Sequence, residues 1–283
     1  MMKPTHGLVV RDWKQDVVNL IQYPRTHTIV SPSPFALKLE TWLRINKLSY
    51  NNVSNDFTKA SSKGQIPFVE VNGRQFADSN HIIDTLSSLF NLSIDKNLNT
   101  KERAEARAIT ILIEESLFRC LQYDRGHGFE WVSTEKGFLP YFSGIKKILY
   151  QKIFAKKLQS GIKRAVTVQG YGRHTEEEIN EIAKKDLSAL STFLGDKRYL
   201  FGDRPSTVDA TLFGHLVQFT DPPLHSDKIK PFMEQNTPNL IEFIKRVKTE
   251  FWPDWNTLCE HLAMNLTDTK HVTTTTTVIT STS

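Results

Sequence analysis

The stretch that most restricts the fold is residues 64–79, GQIPFVEVNGRQFADS. Phe68, Val69 and Val71 favour a strand, and Asn72-Gly73 is the strongest two-residue hairpin signal, because both central positions of that turn need φ > 0. Residues 74–77 return as the partner strand. Pro67 falls at the first residue of a strand, where a missing N–H is tolerated. Asp78 and Ser79 carry side-chain oxygens able to cap a helix through His81, Ile82, Ile83 and Leu86. A loop, a proline, a hairpin and a capped helix in such close order can build a site.

The flanking sequence fits one small α/β unit. Residues 16–23 form a mainly apolar run that ends at Pro24 and reads as a buried strand. Ser33 is a good N-cap, and Pro34 suits the first helical position because its absent N–H would have been unpaired anyway. Phe35, Leu37, Leu39, Trp42, Leu43 and Ile45 supply the apolar stripe of the helix that follows. Residues 50–53 read as a second strand and 57–63 as a polar connection or short helix. The order β-α-β-(α)-β-β-α to about Leu89 implies a mixed sheet covered by helices.

From about Asn99 the pattern is helical only, with helices expected over 101–122, 139–165, 176–194, 206–219 and 237–251 and no evident strand pair. Ser206 with Asp209 three residues on is a capping-box relative that starts an apolar helix. Residues 265–283 are rich in Thr and Ser and offer almost nothing to bury, so a disordered tail is expected there. The expected organisation is therefore an extension over 1–15, an α/β domain over 16–92, an all-helical domain over 99–262 and the tail.

Hydrophobic residues at 39% and charged residues at 24% leave ample material for real cores. Cys120 and Cys259 make neither a disulfide framework nor a metal knuckle, which fits a reducing, cytoplasmic setting. The nine histidines show no close ligand spacing, so no metal is expected. No apolar run has signal-peptide or membrane-spanning length. A net charge of +5 is modest for a nucleic-acid binder, and no recognised motif accompanies it. The basic charge is concentrated: residues 136–174 hold nine Lys or Arg and no acidic residue. Those lysines interleave with Ile145, Ile148, Leu149, Ile153, Phe154 and Leu158. Two readings stand, a core-packed helix with a solvated basic face and a surface that rests on anionic membrane.

Ser33-Pro34-Phe35, Gln65-Ile66-Pro67 and Asp78-Ser79-x-x-Ile82 resemble the cytosolic glutathione S-transferase pattern. Tyr23-Pro24-Arg25, the run from Ser33 to Arg44, Lys63-Gly64-Gln65-Ile66-Pro67-Phe68, Phe213-Gly214-His215-Leu216 and Phe251-Trp252-Pro253-Asp254-Trp255 resemble the failed-axon-connections family more closely. That family has cadmium-responsive nematode relatives and more distant metaxin relatives. The resemblance implies a thioredoxin-like α/β domain joined to an all-α domain. It implies a cis Ile66–Pro67 bond whose Ile66 main chain pairs with glutathione, with Phe35 beside it. It also implies Asp78 and Ser79 at the ligand's γ-glutamyl end and Ser33 as the thiolate-stabilising hydroxyl. Small electrophiles or peroxides, a stress or detoxification role and a homodimer follow from the same source.

Two departures bear on chemistry. Ser33 stands where omega-like relatives carry a reactive Cys, and Ala36 where failed-axon relatives commonly carry one. Mixed-disulfide chemistry through a protein thiol is therefore not expected, whereas glutathione conjugation through a Ser remains open. Ser33 read as a mere N-cap, Asp78 and Ser79 as mere caps, and Tyr23 as an alternative thiolate donor are the competing assignments. The competing function is a non-catalytic adaptor in axon development or at membranes.

Overall fold

The computed structural model describes residues 3–4, 7–92 and 94–266. Its strands and first helices are β1 (Lys3–Pro4), β2 (Val18–Gln22), α1 (Pro34–Ile45), β3 (Tyr50–Ser54), β4 (Lys59–Ala60), β5 (Phe68–Val71), β6 (Arg74–Ala77) and α2 (Ser79–Leu89). Four strands form one sheet in the order β3-β2-β5-β6, with β2 and β3 parallel and the rest antiparallel. The β5–β6 hairpin follows from its turn: Asn72 and Gly73 both take positive φ, 50° and 74°. β1 and β4 make a separate two-residue parallel pair that the sequence does not announce.

Residues of the expected N-terminal extension lie along the sheet. Val9 and Val10 donate their backbone N–H groups to the buried Glu70 carboxylate at 2.8–3.0 Å. The Trp13 ring covers the hairpin, 3.0 Å from where a side chain on Gly73 would begin.

The helical part comprises α3 (Thr100–Ile111), α4 (Phe118–His127), α5 (Gly144–Leu149), α6 (Ala155–Val168), α7 (Glu176–Leu194), α8 (Thr207–Leu216), α9 (Ile229–Asn236), α10 (Pro238–Phe251) and α11 (Trp255–His261). A π-helical stretch, Leu112–Leu117, joins α3 to α4, and another, Tyr150–Phe154, joins α5 to α6. The expected helix over 139–165 is thus split: Leu139–Tyr141 forms one 3₁₀ turn, and the helix restarts at Gly144, whose φ of +52° breaks the run. Asp209 accepts from Ser206 N–H and Oγ–H at 2.8 and 2.6 Å, which fixes the start of α8 as the sequence predicts.

α1 lies between the two parts. Leu39, Trp42 and Leu43 face the sheet core with Val18, Val69, Val71, Ile82 and Leu86, whereas Leu37 joins the helical core with Leu212 and Phe213. α1 meets α8 so closely at Gly214 that a Cβ there would stand 2.6 Å from the Pro34 carbonyl and 2.7 Å from Lys38 N. Buried Arg25 pairs with buried Glu40 through two bonds of 2.8 Å, and also donates to the carbonyls of Ala263 and Met264. Burial alone would raise the Glu40 carboxyl, but Arg25 and then Arg44 hold it down at about 2. Asn265 exchanges hydrogen bonds with Asn52 on the edge strand β3, so the chain past α11 is tied to the sheet. The remainder of the expected Thr-rich tail, from residue 267, lies outside the described residues.

Candidate functional site

Two hollows meet at the junction of the parts. A polar cleft of about 330 Å³ is lined by Phe35, Gln65, Ile66, Pro67, Asp78, Ser79, Asn80, Glu114, Glu115, Phe118 and Arg119. An apolar cavity of about 270 Å³ adjoins it, lined by Tyr23, Ser33, Phe35, Phe57, Ile66, Phe118, Arg125, Phe129, Phe138, Phe154, Leu158 and Ile162 among others. Phe35, Ile66 and Phe118 line both, and the two hollows adjoin there. Phe35 is fixed there by edge-on contacts with Phe118 and His215, at ring separations of 4.8 and 5.2 Å.

Five of the six residues singled out in the sequence therefore share the cleft: Phe35, Ile66, Pro67, Asp78 and Ser79. Ser33 opens instead onto the neighbouring cavity. The Ile66–Pro67 bond is cis. Among the described residues the Ile66 main chain has no hydrogen-bond partner, so its N–H and C=O are open to an extended ligand.

Asp78 is the N-cap of α2, accepting from Asn80 N–H and His81 N–H at 3.1 Å each. Its φ of +79° is unusual for a residue with a side chain and turns the carboxylate back over the helix start. Ser79 is the first residue of α2, at the positive end of the helix, and is 9% exposed. Ser33 is the N-cap of α1: its Oγ accepts from Ala36 N–H at 3.2 Å. A hydroxyl that accepts in this way keeps its own proton to donate. The capping assignment and the site assignment of Ser33 are therefore compatible.

Sequence reasoning missed the charged floor of the cleft. Lys38 is fully buried and bonds Asn80 Oδ1 and Glu114 Oε1 at 2.6 Å each, with Ser79 Oγ at 3.5 Å. Asn80 Nδ2 closes the ring on Glu114 Oε2 at 2.7 Å. Burial lowers the Lys38 pKa, and Glu114 opposes that shift. The ring ties α1, α2 and the π turn together and orients Ser79 and Asn80. A lysine and a glutamate on otherwise apolar helix faces were its only signals in the sequence.

Tyr23 lines the apolar cavity, and burial raises its hydroxyl pKa, which disfavours an ionised phenol there. Both cysteines are buried and line neither hollow; burial pushes Cys259 up to about 12 and Cys120 further still. No group of three or more His, Cys, Asp or Glu that could hold a metal occurs among the described residues.

Comparison with known proteins fits this geometry. Family models described as "Glutathione S-transferase N-terminal domain" and "Glutathione S-transferase, C-terminal domain" match residues 34–131 and 183–247. "Failed axon connections" of Drosophila melanogaster is 34% identical over 90% of this chain, and the chain spans 62% of that protein's length. "Isoprene-epoxide--glutathione S-transferase" of Rhodococcus sp. (strain AD45) is 26% identical, over 77% of this chain and 92% of its own. "Metaxin-2" of Mus musculus is 25% identical, over 86% of this chain and 91% of its own. A glutathione S-transferase of Methylobacterium radiotolerans, solved in complex with glutathione sulfonate, superposes with a TM-score of 0.53 at 14% identity, covering 84% of this chain and 93% of its own. At that identity the likeness is one of fold.

Proposed function

The chain belongs to the glutathione S-transferase-like family, related to failed axon connections and the metaxins, and from that premise we propose that the cleft binds glutathione. The tripeptide lies along the Ile66 main chain with its γ-glutamyl end at Asp78 and Ser79 and its sulfur directed toward Ser33. The observation that carries this reading is the junction itself. Five candidate residues line one polar cleft, and Ser33 lines the hollow that adjoins it at Phe35, Ile66 and Phe118, at the start of α1.

Ser33 Oγ–H donates to the thiolate, and the positive end of α1 favours its charge. The thiol proton passes to water, and the thiolate attacks an electrophile in the apolar cavity. A C–S bond forms as the bond to the leaving group breaks with its electron pair. With a strained ring one C–O bond breaks instead, the ring oxygen then staying in the product and taking a proton from water. Turnover of small electrophiles under chemical stress, in the cytoplasm, is the setting this chemistry suits.

The test is calorimetric titration with glutathione, together with conjugation of 1-chloro-2,4-dinitrobenzene. Ser33→Ala is expected to lower the conjugation rate roughly 10- to 100-fold, the worth of one hydrogen bond to a charged group, with little change in glutathione affinity. Ser79→Ala is expected to weaken the affinity itself. No heat of binding at millimolar glutathione would end this reading.

A second reading rests on a separate observation. Ile145, Ile148, Leu149 and Ile153 are 75%, 53%, 48% and 58% exposed, whereas Tyr150, Phe154, Leu158 and Ile162 turn inward. Among the lysines between 146 and 163, Lys147 alone has a salt-bridge partner in the described residues, Glu135. An apolar stripe flanked by cations suits an anionic membrane surface. On this reading the protein serves as an adaptor docked by its α5–α6 face, whether or not it turns over glutathione.

A further inference from the structure

Arg125 is the charged residue among those lining the apolar cavity, and glutathione conjugation leaves it without a role. It lines the cavity, on α4, and is 8% exposed. One terminal nitrogen donates to the Pro32 carbonyl at 2.8 Å and the other to Gln218 Oε1 at 2.5 Å. The guanidinium lies over the Phe129 ring at 4.8 Å. Both hydrogen-bond partners are neutral, so they fix the group's orientation without balancing its charge. The adjacent Asp124 acts on the guanidinium through space but makes no ion pair with it, its carboxylate accepting from the His225 and Ser226 backbone N–H groups at 3.0 and 2.8 Å.

The other deeply buried cations are provided for differently. Arg25 has Glu40 and Lys38 has Glu114, and the half-buried Arg44 has Asp254. Among the described residues Arg125 has no carboxylate within ion-pair distance. Burial lowers its pKa to about 10, so it stays charged at neutral pH. A desolvated cation with no carboxylate hydrogen-bonded to it is costly, and an anion placed beside it regains both Coulombic energy and hydrogen bonds. Two of its five N–H groups are in use, which leaves donors for such a ligand.

We propose that Arg125 is the anion-recognition residue of the cavity beside Ser33, whose ligand is an apolar acid. An aromatic or aliphatic body fills the space among Phe57, Phe138, Phe154 and Leu158, and one carboxylate or sulfonate pairs with Arg125. The role of this acid as the second substrate rests on the glutathione reading above. Its binding does not.

Two fluorescent probes with the same aromatic body test the binding in the absence of glutathione: 1-anilinonaphthalene-8-sulfonate and its uncharged counterpart N-phenyl-1-naphthylamine. The sulfonate is expected to bind at least tenfold more tightly, and 4-phenylbutyrate to displace it where 4-phenylbutyramide does not. Arg125→Met abolishes the preference, and Arg125→Lys keeps part of it. Leu158→Trp fills the cavity and weakens both probes, which separates this site from the lysine-rich α5–α6 face. Equal affinity of the wild-type protein for both probes overturns the proposal. So does a preference that survives in folded Arg125→Met, or sulfonate binding unchanged by Leu158→Trp. Should Arg125→Met fail to fold, the wild-type preference and the competition pair still decide. Calorimetry with glutathione alone is the separate control: its failure with the probe preference intact removes the glutathione reading only, and the reverse outcome removes this proposal only.

Discussion

Single atoms at the cleft carry more than one duty. Ser33 Oγ caps α1 and still has a proton to offer, and Lys38 orients Ser79 and Asn80 while neutralising Glu114. His215 supports Phe35 from behind. Its Nδ1 pairs with the Thr211 carbonyl at 2.8 Å, and its buried Nε2 has no partner among the described residues. Burial pushes its pKa down to about 4 from 6.5. Between those values an unfolded chain takes up a proton that the folded protein refuses. The contribution of neutral His215 is therefore present above pH 6.5 and is lost as pH falls toward 4, on the order of 3 kcal/mol in all. Urea unfolding of the wild type and of His215→Phe across that window checks this. The stability difference between them should shift with pH, and a constant difference refutes the assignment.

At the scale of elements, the crossing of α1 and α8 sets the site. Gly214 permits it: the Pro34 carbonyl and Lys38 N stand where a side chain would begin. Both contacts are backbone atoms at the very turn that holds Ser33 and Phe35, so no side-chain motion can relieve them. Gly214→Ala is expected to cost ~1–3 kcal/mol, the range for overpacking a core, and to weaken glutathione binding if the cleft reading holds. An unfolding midpoint equal to wild type would contradict this close approach. The π turn Leu112–Leu117 is a second such device, since its extra residue re-phases a long helix and places Glu114 against Lys38.

Over the whole molecule, the two parts are bound by buried charge as well as by apolar packing. Arg44 on α1 forks onto Asp254 at 2.6 and 2.7 Å and stacks on Trp252 at 3.9 Å. Arg25 holds the chain beyond α11. No helix among the described residues is long and apolar enough to cross a membrane. The α5–α6 face nevertheless offers membrane-surface chemistry. Flotation with vesicles containing phosphatidylserine should show binding that weakens as salt rises, and Ile148→Glu with Ile153→Glu should abolish it. Absence of binding at low salt removes the membrane reading. A dimer in light scattering, dissolved by the same substitutions, would assign the face to a second copy of the chain.

Local rules sufficed for the hairpin at Asn72-Gly73, the starts of α1 and α8 and the alternation of strand and helix up to Leu89, because each depends on residues within a turn or two of one another. That residues 64–79 could build a site was legible for the same reason, whereas the roles of Ile66, Pro67, Asp78 and Ser79 within it came from the family resemblance. Helix boundaries after residue 99 were legible only in outline, since Gly144 and the two π turns interrupt periodicities that otherwise continue. What the tertiary structure alone decided was the environment of charge. Lys38 and Glu114 stand in the sequence as charges on otherwise apolar helix faces, and Arg125 as one charge on α4, with nothing local to say what each meets. Which of them finds a counter-ion is fixed by how α1, α2, α4 and the π turn converge, through contacts between residues tens of positions apart. The same holds for Ile145, Ile148, Leu149 and Ile153, whose spacing leaves a core-packed face and an outward one equally open. The helix has two apolar faces but only one core to meet, so the second is left outside.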